Sequence, residues 1–200
     1  MRNLCAAVWA LLLPLAAQRI ITTVAGTDVL FPSGPQSARQ APLGEVFGIS
    51  AAPDGSLYFC DRQNHVVVRM TLDGMLQVVA GNGLRGLSGD GGPATSASLA
   101  EPDSAVVDAS GNLYIADQGN LRIRVVNAQG VISTLPGVSV SPLIGITMLG
   151  VDSAGHLLVA SSRTGDIRVV DAPGQVRTLA KGLSFPAQIA ADGVNIYSPN

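Results

Sequence analysis

"PDGSLYFCDRQNHVVVRMTLDGMLQVVAG", residues 53–81, is three short apolar runs, with one glycine turn before the first and another before the third. Gly55 and Gly74 mark the turns, because glycine accepts a positive φ at no steric cost. The runs "SLYFCD", "VVVRM" and "LQVVAG" are rich in the β-branched and aromatic residues that fit a pleated surface. The stretch aligns without gaps on "ASGNLYIADQGNLRIRVVNAQGVISTLPG" (109–137). It also aligns on "SAGHLLVASSRTGDIRVVDAPGQVRTLAKG" (153–182), which has one extra residue at its end. The glycine pairs Gly55/Gly74, Gly111/Gly130 and Gly155/Gly174 are each 19 residues apart, while the copies themselves are unevenly spaced. A rigid interior with elastic connections makes each copy one structural unit.

A small apolar segment precedes each first turn, such as "SAVVDA" (104–109) or "LGVDS" (149–153), and suits a strand crowded near an axis. In the third strands, Ile123 and Ile167 alternate with Arg122, Arg124 and Arg168, which predicts one buried and one wet face. Four antiparallel strands in about 40 to 45 residues describe a propeller blade, so the fold class is an all-β β-propeller.

"LYFCDRQNHVVV" and "LYIADQGNLRIRV" carry a resemblance to the NHL repeat, a strand followed by Asp and then Asn-His-hydrophobic or a variant of it. Asn64-His65-Val66 is close to the triplet that names the repeat; Asn120-Leu121-Arg122 keeps the Asn. The resemblance covers residues 20–200. The linker "VVAGNG…SGDGGPAT…L…P" is further similar to those of bacterial exported NHL proteins and of the NHL region of teneurins. The third copy departs from the pattern, with Ser161 for the Asp and Thr164-Gly165 for Asn-His. Its turn is expected to be held less well.

The reading divides the chain into a signal peptide (1–17), an outer strand and long linker (20–43), and blade 1 (44–81). A Gly-rich loop (82–100), blade 2 (101–137), blade 3 (145–182) and the start of a truncated blade (183–200) follow. Outer strand "IITTV" (20–24) would complete a blade whose inner strands lie elsewhere, and "AQIAA" (187–191) with "NIYS" would begin another. Three full blades plus partial ones predict an incomplete array with exposed β-edges.

"MRNLCAAVWALLLPLAAQ" has a basic start at Arg2, an apolar run from Leu4 to Leu13 and a small-residue exit at Ala16-Ala17. The apolar run is short of the ~20 residues of a spanning helix. Export to the periplasm or the cell exterior is expected, with no stable membrane span. Cleavage would remove Cys5 and Trp9 and leave Cys60 as the sole cysteine, so no intrachain disulfide is available. Cys60 is expected to act as a small buried hydrophobe. With 47% apolar and 13% charged residues the chain can bury a core, and a net charge of −2 with no basic cluster argues against a nucleic-acid partner.

Gly81-Asn82-Gly83-Leu84-Arg85-Gly86 spells GxGxxG, the pattern of a dinucleotide turn. That chemistry needs a helix opening at the glycines to aim its N-terminus at the pyrophosphate, and "LSGDGGP" cannot begin one. The Walker lysine is missing and Asp90 is the loop's only carboxylate, too few for calcium. The stretch is read as an inter-blade connection, cognate to residues 24–43, with one helical turn near Pro93. Asp61 with Asn64, and Asp117 with Asn120, are read as turn pins because they recur in successive units.

Propellers that the family resembles include metal-dependent enzymes, gluconolactonase-like hydrolases and the zinc-using peptidylglycine lyase. Zinc prefers His and Cys, and His65 and His156 both read as turn residues. No catalytic residue, cofactor-binding residue or metal site is assigned. Asp108 and Asp152, at equivalent ends of the first strands, are the nearest approach to a cation site. The expected function is a non-catalytic scaffold presenting its loop rim to a protein or glycan; the alternative is a metal-dependent propeller enzyme.

Overall fold

The computed structural model describes residues 34–136, 138, 146–161, 163–183, 190–191 and 196–197. The signal segment and the strand expected at 20–24 lie outside them. Blade 1 comprises β2 (Val46–Ala51), β3 (Leu57–Asp61), β4 (Val66–Met70) and β5 (Met75–Ala80), after a two-residue strand β1 (Gln36–Ser37). Blade 2 is β6 (Pro102–Val107), β7 (Leu113–Asp117), β8 (Arg122–Val126) and β9 (Ile132–Thr134). Blade 3 is β10 (Ile146–Val151), β11 (Leu157–Ser161), β12 (Asp166–Ala172) and β13 (Gln175–Ala180). A two-stranded piece, β14 (Ala190–Ala191) with β15 (Ile196–Tyr197), begins another unit. Every pairing is antiparallel between chain neighbours, except that β1 adds to the outer edge of β5. The described residues thus form four-stranded blades of an incomplete propeller.

The registers superimpose. Leu57 faces Met70, Leu113 faces Val126, and Leu157 faces Val170. The first-turn glycines all take φ between +80° and +87°, a region closed to most side chains. Each innermost strand carries an irregularity near its start, between Phe47 and Ser50, Pro102 and Ser104, and Ile146 and Met148. Extra residues there sharpen the local twist and let neighbouring inner strands close on one another. At Gly48 that approach is tight: a Cβ would lie 2.4 Å from the carbonyl oxygen of Asp103.

The core lies between blades. One cluster joins Cys60 and Val67 of blade 1 to Ala105, Leu113, Ile115 and Ile132 of blade 2. A second joins Ile123 and Val106 of blade 2 to Leu149, Leu157 and Val159 of blade 3. Burying a side chain of this size stabilises by roughly 1.5–3 kcal/mol, so each blade depends on the next for its stability. Cys60 is fully buried and free of any disulfide.

The wet face expected for β8 is not found at Arg124, whose side chain is 0% exposed. The Gly-rich linker folds over it. Ser88 accepts a hydrogen bond from Arg124 Nη2 at 3.0 Å, and Asp90 pairs with the same nitrogen at 2.6 Å. Strand periodicity separated Arg124 from Ile123, but the face it shares with Ile115 and Val126 is buried between blades under the linker rather than wet.

Candidate functional site

The Asp-Asn pairs sit where blade and linker meet. Asp61 is fully buried and accepts from the backbone of Gly44 at 2.8 Å and of Asn64 at 3.1 Å, while Asn64 Nδ2 donates to Asp61 and to the Pro42 carbonyl. Asp117 repeats this one blade on, accepting from Ala100 N–H at 2.7 Å and from Asn120 Nδ2, which also reaches the Gly86 carbonyl. Beyond pinning their own turns, the pairs clamp the linker entering the innermost strand. In blade 3, Ser161 Oγ accepts from Thr164 N–H at 3.3 Å.

The residue after each Asn, and after Thr164 in blade 3, takes a left-handed conformation: His65 at φ +55°, Leu121 at +54° and Gly165 at +67°. At His65 this turns the imidazole toward blade 2, where Nδ1 accepts from the Glu101 N–H at 3.2 Å. Glu101 is itself left-handed at φ +49°. Two non-glycine residues in that region, bonded to each other across a blade boundary, hold strain of about 1–3 kcal/mol each at one place.

Around that bond lies an open polar cleft of about 830 Å³, lined by Gly44, Glu45, Arg62, Gln63, His65, Arg85 and Glu101. A chain of alternating charge runs along it. Arg85 pairs with Glu101 at 3.0 Å, Glu101 with Arg62 at 3.3 Å, and Arg62 with Asp103 at 3.5 Å. The Arg62 guanidinium also lies over the Phe47 ring, 5.2 Å from its centre. The chain passes from Arg85, which is 62% exposed, to Asp103, which is 9% exposed.

Burial pushes the Asp103 carboxyl up to about 6; Arg62 opposes this, and Glu101 and Glu45 reinforce it. Burial lowers the pKa of His65, with Arg85 acting in the same sense. An Nδ1 that accepts from Glu101 must be unprotonated, so the neutral tautomer carries its proton on Nε2. The cleft therefore offers an exposed guanidinium, paired carboxylates and a neutral imidazole.

The cation candidates lie elsewhere. Asp108 accepts from the N–H groups of Ser110 and Asn112 and from Asn112 Nδ2, closing the β6–β7 turn. Asp152 does the same after β10, accepting from Ala154 and His156 N–H, with its other oxygen 2.9 Å from His156 Nδ1. Each carboxylate is thus engaged within its own turn. Among the described residues, no group of three or more His, Cys, Asp or Glu is placed to hold a metal ion.

Sequence reasoning reached His65 but not Arg62, Arg85, Glu101 or Asp103. A signal for part of the site was present: Glu45 and Glu101 occupy the same place before the innermost strands, in "LGEVF" and "LAEPD".

Residues 68–145 match the family model of the teneurin NHL domain. Teneurin-1 of Mus musculus and of Homo sapiens are each 30% identical over 126 residues, 56% of this chain; the match spans 4% and 5% of their lengths. A solved nidogen/laminin complex contains a chain similar in fold, with TM-score 0.61 and 23% identity over 78% of this chain and 56% of that one. Virginiamycin B lyase from Staphylococcus aureus superimposes with TM-score 0.54 and 13% identity, over 80% of this chain and 49% of that one. Fold, repeat and clamp together define a β-propeller array. The chain is similar to NHL-repeat propellers, and in residues 68–145 to the teneurin NHL domain. Among the described residues no helix is long and apolar enough to cross a membrane.

Proposed function

We propose that this chain is an exported, non-catalytic interaction scaffold whose blade 1–blade 2 cleft receives charged side chains of a protein partner. The carrying observation is the ladder Arg85–Glu101–Arg62–Asp103, which lines an open cleft and presents exchangeable ion-pairing groups at the loop rim. The likeness to a propeller solved in a nidogen/laminin complex supports the use of such a fold in protein recognition. Export rests on the basic start, apolar run and small-residue exit of residues 1–17. A photo-crosslinking residue at Gln63 should trap a discrete protein in the source cells, and one at Gln129, in the second turn of blade 2, should not. Equal labelling from both positions, or none from either, rejects the assignment. Intact-mass analysis of the secreted protein should show residues 1–17 gone and, with Trp9 removed, fluorescence from tyrosine alone.

A second reading, a metal-dependent propeller enzyme, draws on the Asp152–His156 pair. It requires a micromolar zinc or calcium site that Asp108→Ala and Asp152→Ala together abolish.

A further inference from the structure

Blades 1 and 2 do not leave their outer strands bare. In blade 1, Gln36 and Ser37 pair with Leu76 and Met75, and Ala38 N–H donates to the Gly74 carbonyl. In blade 2 the Gly-rich linker takes the same place. Gly91 N–H donates to the Ile132 carbonyl, Ile132 N–H to the Gly92 carbonyl, and Ala94 N–H to the Gly130 carbonyl. The linker to blade 3 runs from Gly137 to Leu143, against Gly81 to Leu99 before blade 2. Among the described residues nothing pairs with the outer side of β13, and Gln175 to Leu179 are all exposed.

The blade 2 linker also carries a charge that its blade receives. Asp90 pairs with Arg124, and Thr134, opposite Arg124 in the sheet, helps hold the Asp90 carboxyl below its usual value. Blade 3 repeats this receptor in Arg168 opposite Thr178. Both arginines keep an inner carboxylate, Arg124 that of Asp117 at 3.6 Å and Arg168 that of Asp166 at 3.3 Å. Among the described residues only Arg124 has an outer one. Blade 1 is the internal control: Val68 and Val78 stand at the two receptor positions, and its capping segment has Gly34 where blade 2 has Asp90. In blades 1 and 2 the arginine and the capping acid are either both present or both absent; blade 3 has the arginine.

We infer that blade 3 carries a vacant strand-addition site, in which an extended acidic segment of a partner protein pairs with β13 and places a carboxylate on Arg168 and Thr178. The main-chain bonds go to the Val176 N–H and carbonyl and the Gly174 carbonyl, the counterparts of Ile132 and Gly130. Strand addition supplies affinity through the backbone, and the carboxylate supplies selection. The site belongs to a different blade from the rim cleft and stands without it.

A synthetic peptide of residues 88–97, this chain's own capping segment, is the probe, added to the full chain. It should slow hydrogen exchange at the Val176 amide, and its Asp90→Asn version should bind about tenfold more weakly. Arg168→Gln should remove that difference, and Val176→Pro should abolish binding. Arg168→Glu should instead favour a peptide with Lys in place of Asp90, a reversal that mere loss of stability cannot mimic. Three results overturn the inference. Peptide binding could be indifferent to Arg168 and Val176, the Val176 amide could stay unprotected, or a second copy of the chain could occupy the edge, seen as a dimer that Val176→Pro dissociates.

Discussion

Asp61 satisfies the backbone N–H groups of Gly44 and Asn64, and Asp117 that of Ala100 together with Asn120 Nδ2. Truncating either leaves buried donors without partners, a loss of about 2–4 kcal/mol. Asp61→Ala and Asp117→Ala should each lower the urea midpoint markedly. Asp103 acts in the opposite sense. Its folded pKa, about 6, lies above the 3.8 usual for a free aspartate, so folding favours the protonated form. Stability from this group is full below about pH 4 and is lost as pH rises to 6, beyond which the cost is constant. Asp103→Asn should therefore match the wild type at pH 4 and gain on it up to pH 6, by an amount of order 1–3 kcal/mol. Thermal melts at pH 4, 5, 6 and 7.5 read this directly; a constant offset at every pH would show that the carboxyl does not titrate as described.

At the scale of elements, the linker 82–100 is part of blade 2 in all but sequence position. Ala94, Ala97 and Leu99 lie in the inter-blade core, and Ala94–Ser96 forms the single 3₁₀ turn expected near Pro93. Its glycines let the backbone follow the outer strand closely, and Asp90 fastens it to a guanidinium that has no exposure of its own. Removing one partner of such a pair strands the other charge. Asp90→Ala should speed hydrogen exchange at the Gly91, Ala94 and Ile132 amides and open the 82–100 segment to proteolysis. Exchange at Val67 and Cys60 should hardly change. Uniform acceleration across both blades would mean instead that the linker is a structural prerequisite of the whole sheet stack.

For the molecule as a whole, the consequence of inter-blade cores is that an uncovered blade face is apolar. Ala105 and Leu149, at the same position of the innermost strands of blades 2 and 3, are buried; their counterpart in blade 1, Ile49, is 62% exposed, and Val46 is 40% exposed. Exposed strands and apolar faces associate. The isolated chain should therefore self-associate in sizing chromatography through blade 1, and Ile49→Asp should shift it toward the monomer without lowering its melting temperature. A wild-type monomer at tens of micromolar would show that the blade 1 face is covered.

The amino-acid sequence determined the blade. Turn glycines 19 residues apart and alternating apolar runs leave a four-stranded antiparallel unit as the arrangement that satisfies both the backbone and the apolar side chains, and the recurrence of Asp and Asn marked the pins. These are local signals, carried within about 30 residues of chain. What only the tertiary structure decided is which blade surface each linker covers. Arg124 reads as wet in β8 and is dry because Ser88 and Asp90 come back over it. Arg62, His65, Arg85, Glu101 and Asp103 span two blades and a linker, and no periodicity links them. Their meeting depends on two left-handed residues that turn His65 and Glu101 toward each other across the blade boundary, and on an inner-strand bulge that seats Asp103 against Gly48. Charge pairing between separate segments has no period in sequence, because it is set by how blades stack and by how far each linker can reach.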